Sequence, residues 1–248
     1  MREVTILNEL VKYLYDAGLS QPVYWAFHVL GFVAVFIFVV WFGTKIHMKP
    51  WQSAITVLIV FPIVYGFMYV QSWIESGFTT WGGNNIVRVF PYIPIPGLII
   101  TAMFKIKWKD ICHLLAYAPL VVHGTSHFGC IFGGCCIGYP SPWGLYFPAT
   151  GATLFPIQPI EALAAWAILA VLLVRAKRRR YISDGLEYPI MLILFGSTRF
   201  IFEFFRDNGK LWLGCSGLAF HALFMFIVGI IAYVLIKKKI RTNETQEV

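Results

Sequence analysis

Charged residues are scarce in this chain, and acidic ones are the scarcest. Asp, Glu, Lys and Arg together make up 13% of its 248 residues, whereas soluble domains carry about 25%. Hydrophobic residues reach 58%, and the mean hydropathy is +0.71. Too few polar residues remain to cover a globular surface of this size, so a soluble domain is excluded. A disordered chain is excluded as well, and the composition predicts a polytopic membrane protein.

The hydrophobic residues fall into seven runs, which predict an all-α fold with seven membrane elements. A helical span needs about 20 apolar residues. The third run, residues 93–104, is shorter and contains Pro94 and Pro96. We interpret it as a half-span or a re-entrant element that is buried in protein. The other six runs are Tyr24–Gly43, Ser53–Trp73, Ile111–Phe132, Ile157–Val174, Tyr188–Phe205 and Gly217–Ile236.

Lysine and arginine are concentrated in every second connection between these runs. Two lysines follow the first run, three follow the third, five basic residues follow the fifth and four follow the seventh. The positive-inside rule then predicts that the N-terminus lies outside and the C-terminus lies in the cytoplasm. The net charge of +8 is explained by this topology, so no nucleic-acid partner is expected.

The two ends of the chain are more polar than the runs between them. Charged residues interrupt residues 1–22, which argues against a secretory signal peptide. A stripe of Leu7, Leu10, Val11 and Leu14 predicts an interfacial amphipathic helix over residues 1–22, with a flexible tail as the alternative. Residues 241–248 are predicted to form a disordered tail. No internal repeat is evident, so residues 1–248 are expected to form one integral membrane domain.

Residues 123–156 form a long outward segment that is rich in glycine and cysteine. Its glycines would let the backbone pack closely and direct N–H groups at an anion. An irregular segment at a membrane boundary usually lines a site, since lipid cannot satisfy its polar backbone. The alternative is a disordered external loop, against which its apolar and aromatic content argues.

The sixth run contains three charges at close spacing. Arg199 and Glu203 are four residues apart and share a helix face, and Arg206 follows three residues later. Each charge costs about 2.5–3.5 kcal/mol at a helix centre, so the group is expected to face a polar cavity. Two guanidiniums beside one carboxylate leave a surplus positive charge, which suits a lipid phosphate. A structural ion pair is the alternative. Glu161, early in the fifth run, is either functional or a partner of these arginines.

The chain has five cysteines, so at least one stays unpaired if the others are bridged. Disulfides are possible among the outward-facing Cys130, Cys135, Cys136 and Cys215. Cys130, Cys135 and Cys136 could also join His123 and His127 as metal ligands. The spacing matches none of the usual zinc patterns, so no metal and no cofactor is predicted. His28, one turn after Tyr24, is interpreted as a satisfied polar residue rather than a catalyst.

Several of these residues together resemble the prolipoprotein diacylglyceryl transferase family. Arg199-x-x-x-Glu203-x-x-Arg206 is similar to the family's charged motif in the sixth span. Pro156, Gln158 and Glu161 resemble its His-Pro-x-Gln-x-x-Glu stretch. The spacing of Gly129, Gly134 and Gly138 is similar to that of its signature glycines, and Tyr24 resembles the start of its first span.

The resemblance implies a transferase in the cytoplasmic membrane of a bacterium. Such an enzyme moves the diacylglyceryl group of a phosphatidylglycerol-like donor to the cysteine thiol of a lipoprotein precursor. It also implies catalytic roles for Arg199, Glu203 and His127. The implied substrate-binding residues are Arg206, Tyr24, Glu161, Gln158, Gly129, Gly134 and Gly138.

This chain departs from the family pattern at the positions expected to activate the thiol. His127, Cys130 and Cys135 replace the signature arginine, asparagine and glutamate, and the short third run has no histidine. A paralogue that uses a different acceptor, such as a glycan, a metabolite or another peptide, is therefore a second hypothesis. A non-enzymatic membrane protein that binds thiols or metals is a third.

Overall fold

The fold is mostly helical. A computed structural model describes residues 6–79, 86–207 and 216–246. A 3₁₀ helix over Ile86–Tyr92 precedes the fourth α-helix. The α-helices are α1 Ile6–Asp16, α2 Ser20–Lys45, α3 Pro50–Glu75, α4 Pro94–Phe104, α5 Trp108–Leu115, α6 Ala118–Gly133, α7 Ile157–Arg178, α8 Glu187–Glu203 and α9 Gly217–Gln246.

Five helical segments in the described part of the chain are long and apolar enough to cross a membrane. They are α2, α3, α5 with α6, α7 and α9, so the chain is a multi-pass membrane protein. The predicted short element at 93–104 is the 11-residue helix α4. The predicted sixth span corresponds to α8, which has only 17 residues. Seven membrane elements and the orientation of the termini remain predictions.

The segment made of α5 and α6 lies at the centre of the helix assembly. In the most apolar 18-residue stretch of this segment, 72% is buried inside the protein, whereas only 17% of the corresponding stretch of α2 is buried. The helix is interrupted between Leu115 and Ala118, and Pro119 occupies the first turn of α6. A proline there lacks the N–H that would continue the preceding helix. This central position accounts for the buried polar side chains of α6, His123, Ser126 and His127.

The prediction of an all-α fold is wrong for residues 140–154, which form a β-hairpin. Strand β1, Pro140–Phe147, pairs antiparallel with β2, Ala152–Leu154. Aromatic side chains favour a strand, and Gly151 turns the chain in the left-handed region. The N-terminal part of segment 123–156 is also regular, since α6 continues to Gly133. The irregular parts of this segment are the short connection from Gly134 to Tyr139 and the two residues between β2 and α7, and residues 148–151 form the turn of the hairpin.

The hairpin supports a second, smaller hydrophobic core beside α1. Phe147 and Leu154 pack with Val11 of α1 and Ile131 of α6. The backbone N–H of Tyr146 donates to Asn8 Oδ1 at 3.0 Å. Helix α1 is therefore amphipathic and docks on the hairpin, while its position at the membrane interface remains a prediction.

The C-terminal helix is longer than the sequence pattern indicates. Helix α9 continues to Gln246, so the predicted disordered tail is wrong for residues 241–246. Residues 241–246 contain neither proline nor glycine, the two residue types that are least compatible with a helix. Residues 247 and 248 lie outside the described residues.

Helices α8 and α9 approach each other closely because α8 has a glycine at the contact. A Cβ atom at Gly196 would lie 2.8 Å from the backbone nitrogen of Phe226 and 3.0 Å from the carbonyl oxygen of Ala222. This packing fixes the face of α8 that carries Arg199, one turn further along the helix.

Candidate active site

A group of charged side chains lies where α6, α7 and α8 meet. His127 comes from α6, Glu161 from α7, Arg199 and Glu203 from α8, and Arg206 from the turn after α8. The side chains of Glu161, Arg199, Glu203 and Arg206 are each only 2% exposed. We call these five residues the charged cluster. Charges buried this deeply need close partners, because desolvation would otherwise destabilise the fold.

Glu161 is the centre of the charged cluster. Arg199 Nη1 donates to its Oε1 at 2.8 Å, and Arg206 Nε donates to the same oxygen at 3.2 Å. Arg206 Nη2 and His127 Nε2 both contact Oε2, the histidine at 2.6 Å. Since a carboxylate only accepts hydrogen bonds, the Nε2–H of His127 is the donor. The neutral imidazole then carries its lone pair on Nδ1.

Glu203 supplies the second carboxylate. Arg199 Nη1 lies 2.7 Å from its Oε2, and Arg206 Nε lies 3.9 Å from the same oxygen. The hydroxyl of Ser216 donates to its Oε1 at 2.6 Å. Two guanidiniums therefore face two carboxylates, so the predicted surplus of positive charge is wrong. The helix spacing showed only Glu203, whereas Glu161 joins from another helix.

Three members of the charged cluster, His127, Arg199 and Arg206, line one wall of a cavity of about 270 Å³ between α2, α3, α6 and α8. A water molecule occupies about 30 Å³ of liquid, so the space is large enough for a small polar headgroup. The cavity is lined by Tyr24, His28, Phe32, Tyr65, Met68, Val87, Val122, His123, Ser126, His127, Cys130, Cys135, Cys136, Arg199 and Arg206.

The structure places Tyr24 at the cavity and gives Gln158 a different position. Gln158 Nε2 donates to the carbonyl oxygen of Cys135 at 2.9 Å and so holds the connection after α6. His28 Nδ1 lies 2.9 Å from the carbonyl oxygen of Tyr24, a contact within one helix. That hydrogen bond agrees with its interpretation as a satisfied polar residue, although its ring also lines the cavity.

The three predicted glycines have packing positions. A Cβ atom at Gly129 would lie 2.9 Å from the carbonyl oxygen of Tyr24, and one at Gly138 would lie 2.6 Å from that of Phe155. Gly134 ends α6 in the left-handed conformation. They bring α6 and the following connection close to α2 and to the end of α8. Direct contact of these glycines with a substrate stays a prediction.

Three cysteines gather beside Arg206. The sulfur atoms of Cys130, Cys135 and Cys136 all lie within 4.8 Å of one another, and the thiols are free. Hydrogen bonds from the thiols of Cys130 and Cys135 lower the pKa of Cys136 well below its usual value, against the effect of burial. Cys112 is buried on α5, and Cys215 lies outside the described residues.

Backbone hydrogen bonds hold the connection after α6, which carries Cys135 and Cys136, next to Arg206. The N–H of Tyr139 donates to the carbonyl of Phe205 at 3.2 Å, and the N–H of Asp207 donates to the carbonyl of Ile137 at 3.2 Å. This antiparallel contact joins residues that lie about 70 positions apart in the chain. No sequence spacing would show it.

Sequence reasoning missed two residues of the site. His123 was considered only as a metal ligand, yet it is buried at the cavity, and both ring nitrogens lack a partner among the described residues. Its spacing of four from His127 was a usable signal, since such residues share a helix face. Their ring centroids are 4.0 Å apart. Ser216 gave no signal, because it is adjacent to Glu203 only in the fold.

The fold and the site define a multi-pass membrane protein whose helices enclose a polar, charge-lined cavity. The family model of prolipoprotein diacylglyceryl transferase matches residues 23–235. The chain therefore belongs to this family, as its sequence motifs indicated, and it is a transferase.

Relatives named phosphatidylglycerol–prolipoprotein diacylglyceryl transferase occur in several bacteria. The protein from Geobacter sulfurreducens is 25% identical over 185 residues, which cover 71% of each chain. The protein from Idiomarina loihiensis is 38% identical over 136 residues, or 51% of this chain and 50% of the relative. That from Wolbachia sp. of Brugia malayi is 36% identical over 103 residues, or 38% of each chain.

Proposed function

We propose that this protein transfers the diacylglyceryl group of phosphatidylglycerol to the cysteine thiol of a lipoprotein precursor. A carbon–sulfur bond forms at the glyceryl carbon, the bond from that carbon to the phosphate oxygen breaks, and glycerol phosphate leaves. Family membership and the names of the relatives support this donor and acceptor. The cavity at the charged cluster is the proposed site, and the cytoplasmic membrane of a bacterium is the proposed location.

The observation that carries the proposal is the pair of arginines in the cavity wall. A guanidinium has five N–H donors, and the two carboxylates use only some of them. Arg199 Nε is buried without a partner in the described part of the chain. A phosphodiester in the cavity would accept from the remaining donors and gain charge-assisted hydrogen bonds. The same contacts would stabilise the negative charge that develops on the leaving phosphate.

Glu161 and Glu203 act as positioning residues in this proposal. Each arginine is held by both carboxylates, so its guanidinium is fixed before the substrate arrives. The two arginines and the two glutamates carry no net charge, so hydrogen-bond geometry, rather than surplus charge, would select the phosphate. Preorganised donors of this kind need little rearrangement during the reaction.

His127 is the proposed acceptor of the thiol proton. Its Nε2–H is bound to Glu161, which orients the ring and stabilises the imidazolium that forms. Its Nδ1 lies 3.9 Å from Cys130 Sγ and is the atom that would take the proton. The thiolate left behind would attack the glyceryl carbon.

The acyl chains of the donor have an apolar route next to the cavity. A second cavity of about 60 Å³ lies between α2, α3 and the segment made of α5 and α6, and it is lined almost entirely by hydrophobic side chains. Phe32 and Val122 line both cavities. We propose that the chains leave the site here, while the headgroup stays with the arginines.

The test is a transfer assay in lipid nanodiscs with isotope-labelled phosphatidylglycerol and a peptide that carries a lipoprotein-type cysteine. Mass spectrometry should detect the diacylglyceryl thioether with the wild type and with Arg179→Ala, a variant outside the cluster. Arg199→Ala should abolish the product. Absence of donor consumption with any acceptor would show that the proposal is wrong.

The acceptor hypotheses are separated in the same assay. A peptide with serine in place of cysteine should remain unmodified if the acceptor is a thiol. If the donor is consumed, the cysteine peptide stays unmodified and the group is transferred to a glycan, a metabolite or another peptide, the paralogue hypothesis is established instead.

A further inference from the structure

The cysteine group of Cys130, Cys135 and Cys136 has the composition of a site for a soft metal ion. We propose that these three residues bind one divalent cation of the Zn²⁺ class and leave its fourth coordination position open to the cavity. Thiolates are the preferred ligands of such ions. Family membership does not account for the group, because cysteine replaces two residues of the family pattern here.

The distances between the sulfur atoms fit such a site. With Zn–S bonds of about 2.3 Å, ligand sulfurs in a tetrahedron lie roughly 3.8 Å apart. The three sulfurs lie within 4.8 Å of one another, so small rotamer changes would complete the geometry. All three residues line the same cavity, and the ion would be reached from it.

The backbone around the group is built to hold the sulfurs together. Gly134 and Cys136 both have positive φ values, +64° and +57°, which fold the connection back on Cys130 at the end of α6. A non-glycine residue in this region is uncommon, and such outliers often occur at functional sites. Gln158 Nε2 and the pairing of residues 137–139 with 205–207 hold the bend in place.

A second group of possible ligands is less suited to a cation. His123, His127 and Glu161 also bring their ligand atoms within 4.8 Å. Both oxygens of Glu161 are already bound by arginines, so a cation there would face two guanidiniums. Three thiolates around a divalent ion have a net negative charge, which the neighbouring Arg206 would stabilise instead.

An open fourth position gives the site a chemical use that rests on the proposed function. A thiol that coordinates such an ion is deprotonated outright, and the thiolate is the nucleophilic form. The ion would hold the acceptor sulfur beside the arginines, and His127 Nδ1, close to Cys130, would accept its proton. This arrangement would substitute for the thiol-activating residues that the family pattern has and this chain lacks.

Metal content and cobalt spectroscopy test the site without any measurement of activity. The purified wild type and Cys112→Ser, a buried cysteine on another helix, should each contain one zinc ion per chain. The variant with Cys130, Cys135 and Cys136 all changed to serine should contain none. After chelation, Co²⁺ added to the wild type should give thiolate-to-metal charge transfer and tetrahedral visible bands.

The open position is tested by adding a cysteine peptide to the cobalt form, with the serine peptide as control. A change of the visible bands with the cysteine peptide alone supports the inference. The inference is overturned if the wild type takes up no cobalt or if the triple variant takes up an equal amount. It is also overturned if the cysteine peptide leaves the visible spectrum unchanged, or if two of the three cysteines form a disulfide. A metal-loaded protein without transfer would instead refute the proposed function and leave the metal site standing.

Discussion

Glu161 is the side chain on which two guanidiniums and an imidazole converge. Its two oxygens accept from Arg199, Arg206 and His127, and the carboxylate is 2% exposed. A buried ion pair contributes little net stability while complete, but removal of one partner strands a charge in the interior. The identity of this residue therefore affects both the fold and the site.

Glu161→Gln should lower the free energy of unfolding by about 3–5 kcal/mol, because it leaves two arginines with one carboxylate. Thermal unfolding in detergent measures the loss. Glu75→Gln, whose carboxylate pairs with Arg88 at a half-exposed position, should cost about 1 kcal/mol or less.

The Glu161→Gln variant also tests the charge balance of the cluster through its response to phosphate. Glu161→Gln has a surplus positive charge, so inorganic phosphate should raise its melting temperature more than it raises that of the wild type. Equal melting of Glu161→Gln and wild type, with or without phosphate, would contradict the assigned role of Glu161.

Arg199→Lys should lower kcat by about 10²–10³-fold, the range found when one donor to a developing anion is lost. Lysine keeps the charge but lacks the further N–H donors of the guanidinium, which remain for a phosphate while Nη1 contacts both carboxylates. Turnover of labelled phosphatidylglycerol measures the change, with Arg179→Lys as the matched control. Full activity in Arg199→Lys would mean that the reaction does not depend on the guanidinium donors of Arg199.

The sequence was informative about site residues that lie on one helix and less so about those that meet across helices. Arg199, Glu203 and Arg206 could be grouped from their spacing. Their neutralisation by Glu161 could only be considered as an alternative, because helix spacing does not report which helices are neighbours. The meeting of Cys136 with Arg206 depends on backbone pairing between distant segments, for which the local sequence has no signal.

At the scale of elements, the close packing of α8 on α9 depends on Gly196. Gly196→Ala places a Cβ atom 2.8 Å from a backbone nitrogen and should lower the free energy of unfolding by about 1–3 kcal/mol. In the control Gly66→Ala, the added Cβ meets nothing within 4 Å on α3, and stability should rise by about 0.5–1 kcal/mol. Thermal unfolding of the two variants should shift in opposite directions, and equal shifts would be inconsistent with this packing.

The connection between α7 and α8 contains a carboxylate that makes stability depend on pH. Burial alone would raise the pKa of Asp184, but a hydrogen bond from Arg175 and the backbone N–H of Leu186 outweigh it and lower the pKa. The stabilisation is therefore present above the unfolded pKa of about 3.9 and is lost as the pH falls through the lower folded value.

Asp184→Asn should destabilise the protein by about 1.5–3 kcal/mol near neutral pH, the cost of a charge-assisted hydrogen bond. The difference from wild type should shrink below about pH 4, where the carboxyl becomes protonated in the unfolded state, and should be smallest below the lower pKa of the folded state. Melting temperatures across this range measure it, and Asp16→Asn, an exposed carboxylate on α1, should show no such trend. A difference that persists at acid pH would exclude the ion pair as its cause.

The sequence predicted long apolar elements well and short polar ones poorly. Five predicted runs match helices within a few residues, the seventh begins with α9 and ends ten residues before it, and 93–104 coincides with α4, because apolar length is a direct signal. The hairpin at 140–154 has few residues, and its strands are stabilised mainly by contacts with α1 and α6. The helical end of α9 was missed because polar residues that suit a loop also suit an exposed helix.

At the scale of the whole molecule, the basic connections predict a single orientation. A green fluorescent protein fused after α9 should fluoresce, because it would remain in the cytoplasm. A tag before α1 should react with a membrane-impermeant reagent in intact spheroplasts. Both reporters on one side of the membrane would contradict the predicted orientation of the termini.

The charged cluster also constrains the order in which this protein can enter the bilayer. On α8, Arg199 and Glu203 neutralise each other within one helix, but Glu161 on α7 depends on arginines that are synthesised later. An unpaired carboxylate costs up to about 2.5–3.5 kcal/mol during insertion, the value for a helix centre, and Glu161 lies in the second turn of α7. Helices α7 and α8 should therefore leave the translocon together as a hairpin, and a ribosome stalled before α8 would leave α7 poorly inserted.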